Sequence, residues 1–553
     1  MLKENLIQLF QESFKEHWDL PALSDYSTKE TVSYGELARK IARLHVFYRA
    51  CGIKKGDKVA LMGKNNIDWV NVFVGTICYG AVIVPILNEF NPQDAQHIIN
   101  HSDAKLLFVA GSTWESMEFS RLTNLIGVLT LDKKHSLLAW RGKKNVHEIY
   151  TNLNSLFDQT YPDGFVAANI KYAKIPNDSL CEINYTSGTT GFSKGVMLTV
   201  NNLTGNVVFG ISENVHFRGS RCLSFLPMAH AYGCAFDLLT PLAVGSHITV
   251  LGKVPSPKII MAAMAAVRPD LVICVPLVLE KIYRKQIQPL IEKKYIRWAM
   301  QIPFLDSKIF STIRNKLIAA FGGHFSEIII GGAPLNAEVE DFLRKIKFPF
   351  TVGYGMTECA PLISYTYWKD FVPHSAGRIL KGYMEVHIDS DDPQNTPGEI
   401  CVRGEHVMVG YYKNEEATKS VIDEEGWLHT GDMGVVSKDG TISIRGRSKT
   451  MILSANGQNI YPEEIESKLN NMPFVSESLV LDREGKVVAI VYPDYEAMDA
   501  ISLTLDNLPA ELDKVRKELN KLVAPYEQVT KIEILPNGFT KTPKHSIKRY
   551  LYH

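Results

Sequence analysis

Hydrophobic positions in the first part of the chain alternate between helical and strand spacing. Apolar residues recur at helical intervals from Tyr34 to Cys51 and from Ile67 to Gly80. Short apolar runs of the kind found in buried strands lie between and after these helices: Lys58–Met62, Ala81–Ile86, Lys105–Ala110, Leu271–Val275 and Glu327–Ile330. This alternation predicts an α/β fold in which parallel sheets are flanked by helices.

The pattern changes after Gly398. Turn signals and short strand-like pieces, such as Lys438-Asp439-Gly440-Thr441, dominate up to about residue 446 and predict a small β-rich subdomain. From about Thr450 helical and strand patterns mix over roughly 100 residues, which is the size of a domain. We therefore expect an N-terminal domain of residues 1–449, with its β-rich subdomain at about 398–446, and an α+β domain of residues 450–553.

Composition and charge narrow the class of protein. Apolar residues make up 45% of the 553 residues and charged residues 22%, which is typical of a globular protein. The 60 basic and 60 acidic side chains cancel, and this balance gives no support to nucleic-acid binding. The N-terminus lacks the apolar core of a signal peptide, and no stretch predicts a membrane-spanning helix. We expect a cytoplasmic protein, and the sequence is also compatible with contact with a membrane surface.

The eight cysteines are scattered and form no C-x-x-C pair. Most of them lie inside apolar runs such as Val272-Ile273-Cys274-Val275. We therefore expect buried thiols in a reducing compartment, and neither a disulfide framework nor a zinc site.

The strongest chemical signal is the segment from Tyr185 to Val196, YTSGTTGFSKGV. It contains three glycines, three threonines, two serines and one lysine. Glycines let the backbone approach an anion, hydroxyl and amide groups donate hydrogen bonds, and the lysine adds a cation. A Walker A loop is excluded, because Ser193 and Val196 stand five positions after Gly188 and Gly191, where that motif requires glycine. The composition predicts a different kind of phosphate-binding loop.

The same string resembles the signature loop of the adenylate-forming synthetases, which include acyl-CoA synthetases, luciferases and the adenylation domains of peptide synthetases. Their loop reads [YF]-[TS]-S-G-[ST]-T-G-x-[PS]-K-G-V, and this segment matches it at every position. The resemblance implies a catalytic role for Lys194. It also implies that ATP is bound by Thr186, Ser187, Gly188, Thr189, Thr190, Gly191 and Lys194. By composition alone, the segment would equally be a polar surface loop.

Two further motifs follow in the order of that family. Gly331–Leu335 resembles its adenine-binding loop, and Gly353–Glu358 resembles its second nucleotide motif. The resemblance implies that the aromatic residue, Tyr354, stacks on adenine, that Thr357 contacts phosphate, and that Glu358 holds Mg²⁺. It also implies that Thr357 and Glu358 act in catalysis. The nucleotide-binding positions implied here are Gly332, Ala333, Pro334, Tyr354, Gly355, Met356 and Thr357.

Two charged residues complete the expected nucleotide site. Asp432, in the string Trp427–Asp432, resembles the family aspartate that bonds the ribose hydroxyls. Arg447 resembles the arginine that serves the ribose and phosphate side. Each residue alone would be a solvated surface charge, and it is their order after the glycine-rich loop that favours a role in binding.

These residue types suit the activation of a carboxylic acid by ATP. The attack of a carboxylate on the α-phosphate brings two anions together, so the site must neutralise charge and hold the attacking oxygen in line with the leaving pyrophosphate. Loop donors, Thr357 and Mg²⁺ on Glu358 would supply that stabilisation. No protein nucleophile is required.

The C-terminal region carries the implied second half-reaction. In the family the C-terminal domain moves about a hinge two residues beyond the arginine, which here is Lys449. The loop that contains Gly457 resembles the segment beside the tunnel for the pantetheine of coenzyme A, although Asn456 replaces one of its paired glycines. The resemblance thus implies a mobile C-terminal domain and coenzyme A as a partner.

The chain departs from the family near its C-terminus. Family members carry a catalytic lysine in a string like T-P-S-G-K-I, and the matching position here is Ser546. Lys541, Lys544 and Lys548 lie near it, and we favour Lys544 or Lys548 for catalysis. A basic solvated tail explains the same residues equally well.

The acid is predicted from a second set of strings. Leu226-Pro227-Met228-Ala229-His230 and the segment Arg268–Tyr283 resemble long-chain acyl-CoA synthetases. The resemblance implies that His230, Gly331 and Gly353 contact the acid, and that the acid is a long- or medium-chain fatty acid. A lone His230 would more often be a core histidine.

The sequence is compatible with three functions. The first is an acyl-CoA synthetase that uses ATP, Mg²⁺ and coenzyme A. The second is a ligase that loads a carrier-protein phosphopantetheine, although this chain shows no carrier attachment site. The third is a nucleotide-binding relative without catalysis, which is suggested only by Ser546. The oligomeric state is left open.

Overall fold

The computed structural model describes residues 1–131, 136–142, 145–186, 193–302, 305–453, 458–542 and 546–552. Its first helices and strands confirm the alternation in the sequence. The helix Tyr34–Cys51 begins at Ser33, whose hydroxyl and backbone exchange hydrogen bonds with Glu36, and ends at Gly52 with a φ of 78°. The next strand, Lys58–Met62, has the predicted bounds.

Helices pack against the sheets along the whole chain. Their bounds are Leu6–Glu16, Tyr34–Cys51, Ile67–Tyr79, Pro92–His101, Gly111–Trp114, Val146–Thr151, Leu153–Thr160, Val200–Ser212, Ala231–Gly233, Thr240–Val244, Pro257–Val267, Pro276–Ile282, Gln288–Ile291, Lys294–Ala299, Leu305–Ala320, Ala337–Lys345, Glu415–Lys419, Pro462–Leu469, Tyr495–Ala500 and Leu508–Leu522.

The largest sheet of the described chain has a parallel centre and antiparallel margins. Its strands lie in the order Gly410–Tyr411, Lys194–Thr199, Leu180–Thr186, Val82–Ile86, Lys58–Met62, Ala104–Val109, Gly127–Thr130 and Leu137–Trp140. The central strand Val82–Ile86 is buried at every position, as expected for a parallel strand with both faces covered. Leu180–Thr186 and Lys194–Thr199 pair antiparallel, and they carry the first and last residues of the glycine-rich segment.

Three smaller sheets complete the N-terminal region. The first has the order Arg221–Ser224, His247–Val250, Pro21–Asp25 and Thr31–Ser33. The second is parallel throughout, with Val272–Cys274, Ile328–Ile330 and Phe350–Val352. The third pairs Tyr354–Gly355, Leu362–Tyr365 and Arg378–Ile379 antiparallel. Parallel sheets flanked by helices confirm the α/β class.

A β-rich segment follows, as the turn signals predict. It is an antiparallel sheet of Met384–Asp389, Gly398–Gly404, Leu428–Val436 and Ile442–Arg447. Its first strand, Met384–Asp389, lies before Gly398, so the β-rich segment begins earlier than the sequence indicated. The alternation of exposed and buried residues in this strand is harder to recognise in the sequence than the turns that come later.

The C-terminal region has its own apolar core. Strands Val475–Arg483, Lys486–Pro493 and Lys531–Ile534 form one sheet, and Ile452–Leu453 pairs with Asn459–Ile460. Buried apolar residues form two large clusters, one from Leu6 to Ile442 and one from Ile452 to Val529, and a small separate group in the C-terminal region consists of Leu479, Leu481, Ile490 and Phe539. Lys449 lies between the two clusters, although the proposed domain boundary at this residue stays a prediction.

All eight cysteines are buried and free. Cys401 has a polar neighbourhood, with its Sγ 3.5 Å from His429 Nδ1, which in turn lies 3.0 Å from Glu399 Oε2. Burial raises the pKa of the Cys401 thiol to about 12. Within the described ranges, every helix is too short or too polar to span a bilayer.

Candidate functional site

A cleft of about 2740 Å³ brings together most of the residues that the sequence predicts for the site. We call its lining residues up to Arg447 the N-terminal wall, and those from Ser448 onward the C-terminal wall. The predicted residues that line it are Thr186, Lys194, His230, Gly331, Gly332, Ala333, Pro334, Gly353, Tyr354, Gly355, Met356, Thr357, Glu358, Arg447, Lys449 and Lys548. Ser187, Gly188, Thr189, Thr190, Gly191, Gly457 and Lys544 lie outside the described residues.

Asp432 is the buried centre of a polar triad behind the N-terminal wall. The antiparallel pairing of Leu428–Val436 with Ile442–Arg447 places it opposite Arg447, whose Nε lies 3.1 Å from Asp432 Oδ1. The Tyr354 hydroxyl donates to Oδ2 at 2.7 Å. Burial raises the pKa of Asp432, and Arg447 and the Tyr354 hydrogen bond oppose that shift. Each carboxylate oxygen therefore has a partner that fixes its orientation.

Arg447 extends from this triad towards the cleft. Its side chain is 62% exposed, whereas that of Asp432 is 9% exposed. A guanidinium that is anchored at Nε and otherwise exposed can donate to an anion in the cleft.

Two glycines allow close packing beside Tyr354 and the predicted adenine loop. A Cβ on Gly355 would lie 2.3 Å from the Pro361 carbonyl oxygen, so no side chain fits between these strands. Gly332 has a φ of 87°, which favours glycine. Gly355 and Gly332, which belong to the two predicted nucleotide motifs, are therefore also required by the packing and the backbone conformation at their positions.

Glu358 and Lys194 are linked through a tyrosine that the sequence did not predict. The Tyr411 hydroxyl donates to Glu358 Oε1 at 2.9 Å, and Lys194 Nζ lies 4.7 Å above the Tyr411 ring. The pairing of Gly410–Tyr411 with the strand Lys194–Thr199 places the ring there. The double tyrosine after Gly410 was a signal in the sequence, but its partner strand is more than 200 residues away.

Thr357 and Glu358 sit on a 3₁₀ turn that follows the strand Tyr354–Gly355. Thr357 is buried and Glu358 is half-buried at the cleft. The backbone carbonyl of Glu358 accepts from the Met408 amide at 2.8 Å. The turn therefore holds the carboxylate at the cleft surface by both its backbone and its side chain.

The predicted acid-contacting residues lie at an apolar part of the same cleft. His230 precedes the short helix Ala231–Gly233 and accepts from the Tyr232 amide at 3.3 Å. The Tyr232 ring packs against Gly331, where a Cβ would lie 3.1 Å from its Cζ, and its hydroxyl donates to the Ile329 carbonyl at 3.0 Å. Apolar side chains that line this part are Phe209, Val215, Phe225, Leu226, Phe236, Leu251 and Ile260.

Two buried carboxyl groups near this region were also missed. Burial raises the pKa of Asp237 to about 8 and that of Glu182 to about 7. Asp237 is 1% exposed, and the Glu182 carboxylate accepts from Asn184 Nδ2 at 2.7 Å. Because single acidic residues in apolar runs carry no sequence signature, no pattern could have found them.

The C-terminal wall carries Lys541 and Lys548 on two short paired segments, residues 540–542 and 546–548. The Thr542 amide donates to the Ser546 carbonyl at 2.8 Å, and the Lys548 amide donates to the Thr540 carbonyl at 2.9 Å. Lys541 forms an ion pair with Glu477. Lys548 lines the cleft, and within the described residues no ion pair engages its ammonium group.

Contacts between the two walls are polar. Asn336 and Asn471 exchange side-chain hydrogen bonds of 2.8 and 3.0 Å, and Arg284 donates to Asn471 at 3.2 Å. Lys285 and Glu496 form an exposed ion pair at 3.0 Å. Lys449 is exposed on the turn Ser448–Thr450, where the chain passes from one wall to the other.

Comparison with known proteins gives this cleft a context. Residues 10–412 match the family of AMP-binding enzymes. The chain is similar to the long-chain-fatty-acid–CoA ligase FadD15 of Mycobacterium bovis, with 28% identity over 94% of this chain and 90% of the relative. It is also similar to the peroxisomal long chain acyl-CoA synthetase 6 of Arabidopsis thaliana, with 31% identity over 84% of this chain and 69% of the relative.

Solved structures show the same fold. The crystal structure of the anthranilate CoA ligase AuaEII in complex with anthranoyl-AMP superposes with a TM-score of 0.78 over 100% of this chain and 97% of that one. The sequence identity is 18%. This likeness therefore concerns the fold alone.

Proposed function

Because the chain belongs to the AMP-binding enzyme family of adenylate-forming acyl-CoA ligases, we propose that it converts a fatty acid to its acyl-CoA. The acid would be of long or medium chain length and would be activated with ATP as an acyl-adenylate. The observation that carries this proposal is a single cleft that is lined both by Tyr354 and Arg447, the two partners of the buried Asp432, and by His230 and apolar side chains.

In the first half-reaction a carboxylate oxygen of the acid attacks the α-phosphorus of ATP, and pyrophosphate leaves. Asp432 suits the binding of ribose hydroxyls, because both of its oxygens are oriented by fixed donors and can accept further hydrogen bonds. Lys194 and Arg447 supply cations at the cleft where phosphate charge has to be neutralised. These side chains bind and orient the two anions, and no covalent enzyme intermediate is needed.

Glu358 fits the role of a Mg²⁺ ligand. Carboxylate oxygens are the ligands that this ion prefers, and Tyr411 engages Oε1 while the side chain stays at the cleft. When bound there, Mg²⁺ would neutralise phosphate charge. Lys194, held above the Tyr411 ring, adds a second positive charge on the same side.

In the second half-reaction the thiol of coenzyme A attacks the acyl carbonyl, and AMP leaves. We propose that the C-terminal wall moves about Lys449 between the two steps. Two properties of the chain support this: Lys449 lies between separate apolar clusters, and the contacts across the cleft are polar. Separate cores can change their relative position without exposing either one.

The choice of a fatty acid rests on the apolar side chains and on the relatives. The seven apolar residues that line the cleft with His230 offer an alkyl chain an apolar surface. Both relatives described above are named for long-chain substrates, whereas the superposed structure is a complex with anthranoyl-AMP. A panel of acids that varies in chain length and includes an aromatic acid therefore tests this choice.

The test is an assay of the full chain with ATP, Mg²⁺ and a panel of acids that contains short, medium and long fatty acids and anthranilate. AMP, pyrophosphate and thioester are followed with and without coenzyme A. We expect thioester and stoichiometric AMP with medium or long fatty acids only. Best turnover of an aromatic or short acid would contradict the fatty-acid assignment.

The same assay separates the alternatives. AMP formation without a thioester to coenzyme A would indicate that a carrier-protein phosphopantetheine is the acceptor. The absence of AMP with every acid would indicate a nucleotide-binding relative without catalysis. Asp513→Ala is a suitable control variant, because Asp513 forms ion pairs with Arg516 and Lys517 on the helix Leu508–Leu522, outside the cleft.

A further inference from the structure

One short helix exposes two aromatic side chains to solvent. In Lys294–Ala299, Tyr295 is 63% exposed and Trp298 is 66% exposed. Residues three apart lie on the same face of a helix, so the two rings are neighbours. Lys293, Lys294 and Arg297 are exposed beside them. We call these five residues the aromatic–basic patch.

The patch is the end of a strongly basic stretch in a neutral protein. The chain as a whole carries 60 basic and 60 acidic side chains. From residue 281 to 298 the only acidic residue is Glu292, whereas the basic residues are Lys281, Arg284, Lys285, Lys293, Lys294 and Arg297. Lys285 is paired with Glu496, and the other charges give this surface a local positive potential.

The same stretch leads from the cleft to the patch. The helical segments Pro276–Ile282, Tyr283–Ile287 and Gln288–Ile291 follow one another directly. Leu277, Lys281 and Lys285 on them line the cleft. Lys294–Ala299 begins three residues after Ile291, so the patch continues the segment that forms one side of the cleft.

We propose that the aromatic–basic patch binds the surface of an anionic lipid bilayer. Tryptophan and tyrosine prefer the interface between water and acyl chains, because their rings are apolar and their edges are polar. Lysine and arginine beside them attract anionic headgroups. The helix of six residues lies in the interface, with its rings among the headgroups and its cations at the phosphates.

The bilayer explains both halves of the patch better than an acidic protein does. An acidic partner would pair with the cations but would leave two large rings with no apolar counterpart. A bilayer offers both kinds of contact, and it also dissolves the alkyl acids that the adjoining cleft fits. Delivery of the acid from the bilayer rests on the proposed function, but binding to the bilayer does not.

The experiment measures binding of the full chain to vesicles in the absence of ATP and coenzyme A. Vesicles of phosphatidylcholine are compared with vesicles that also contain phosphatidylserine, by flotation at low and at high salt. We expect binding to the anionic vesicles that weakens with salt. The triple variant Lys293→Gln, Lys294→Gln and Arg297→Gln removes three positive charges. We expect its binding to the anionic vesicles to be weaker by about fivefold for each charge removed.

The aromatic contribution is tested separately. Tyr295→Ser with Trp298→Ser should weaken vesicle binding by roughly tenfold for each ring. Trp140→Ser is the matched control, because Trp140 is another exposed tryptophan, 46% exposed and remote in sequence. Its removal should change binding less than about twofold.

Several results would overturn the proposal. The first is equal binding of all variants, and the second is no binding of the unmodified chain to either kind of vesicle. The third is a dimer of the unmodified chain, detected by light scattering, that the patch variants no longer form. The last result would assign the patch to contact between two copies of the chain. Turnover of a dissolved medium-chain fatty acid in the absence of vesicles, measured in parallel, should be unchanged in the patch variants. A failure of the fatty-acid assay therefore stays distinguishable from a failure of vesicle binding.

Discussion

The two walls of the cleft hold their functional side chains by different means. Behind the N-terminal wall Asp432 is buried, with one oxygen bonded to Tyr354 and the other paired with Arg447 across a β-ladder. In the C-terminal wall Lys541 and Lys548 lie on two short paired segments, and the ion pair Lys285–Glu496 that joins the walls is exposed on both sides. Buried, fully paired groups are costly to displace, whereas exposed ion pairs contribute little. The comparison indicates a preorganised N-terminal wall and a C-terminal wall that can move at small cost.

Asp432→Ala should have the largest effect on activity. It removes the acceptor of the Tyr354 hydroxyl and frees Arg447, so the nucleotide loses its oriented partners. Misplacement at this scale costs about a hundredfold in rate, measured as ATP–pyrophosphate exchange in the presence of the acid. The control Asp513→Ala should leave the exchange within about twofold. An Asp432→Ala variant with normal exchange would remove the main support for preorganisation.

Lys548→Ala tests the opposite wall. If the Lys548 ammonium reaches the α-phosphate, adenylation should slow by about a hundredfold, the usual loss for one charge-stabilising donor. Thioester formation from supplied acyl-adenylate should persist, because that step does not use the group. Both rates are followed by quenched-flow chromatography of AMP and thioester.

Two companion variants sharpen this assignment. Lys541→Ala should slow adenylation less than about threefold, since Lys541 is already paired with Glu477. Lys544→Ala covers the other candidate. If all three single variants adenylate normally, neither Lys544 nor Lys548 takes the role of the family's catalytic lysine, whose position Ser546 occupies here.

Asp237→Asn probes the interior behind the N-terminal wall through pH. The folded pKa of Asp237 is raised to about 8, against about 4 when unfolded. Between these values the folded state holds a proton that the unfolded state has released, so the free energy of unfolding falls as pH rises through this range. The contribution is at most about 1.4 kcal/mol per pH unit.

The measurement is thermal unfolding at a series of pH values from acidic to mildly alkaline. The unmodified chain should lose more stability over this range than Asp237→Asn, which has no carboxyl group to ionise. Glu182→Gln should flatten the curve in the same direction, because the pKa of Glu182 is raised to about 7. Parallel curves for all three proteins would show that neither carboxyl group stays protonated in the folded chain.

The smallest effect is expected for the ion pair that joins the walls. Lys285→Ala and Glu496→Ala, combined in a double-mutant cycle, should give a coupling free energy below about 1 kcal/mol. The coupling should vanish at high salt, because both side chains are exposed. A larger, salt-resistant coupling would mean that the two walls are locked together.

The sequence predicted best what depends on local pattern. The bounds of Tyr34–Cys51 and Lys58–Met62 follow from spacing and capping residues, and the adenylate-forming family follows from one contiguous loop. Contacts between distant strands left no such pattern, which is why Tyr411 and the wall-to-wall pair Asn336–Asn471 were missed. The roles assigned to Lys449 and Lys548 depend on motion and on distances to a nucleotide, and they stay predictions.

Because every native cysteine is buried, newly introduced cysteines can be labelled selectively to measure the distance between the two walls. Thiols react with alkylating probes as exposed thiolates, and here all eight are buried, with burial raising the pKa of Cys78, Cys181 and others above the usual range. A pair of new cysteines would then be labelled selectively, one at Asp439 in the turn between Leu428–Val436 and Ile442–Arg447, and one at Glu484 in the turn between Val475–Arg483 and Lys486–Pro493. Energy transfer between two dyes placed there would test the proposed movement of the C-terminal wall in real time, on a background free of native labelling.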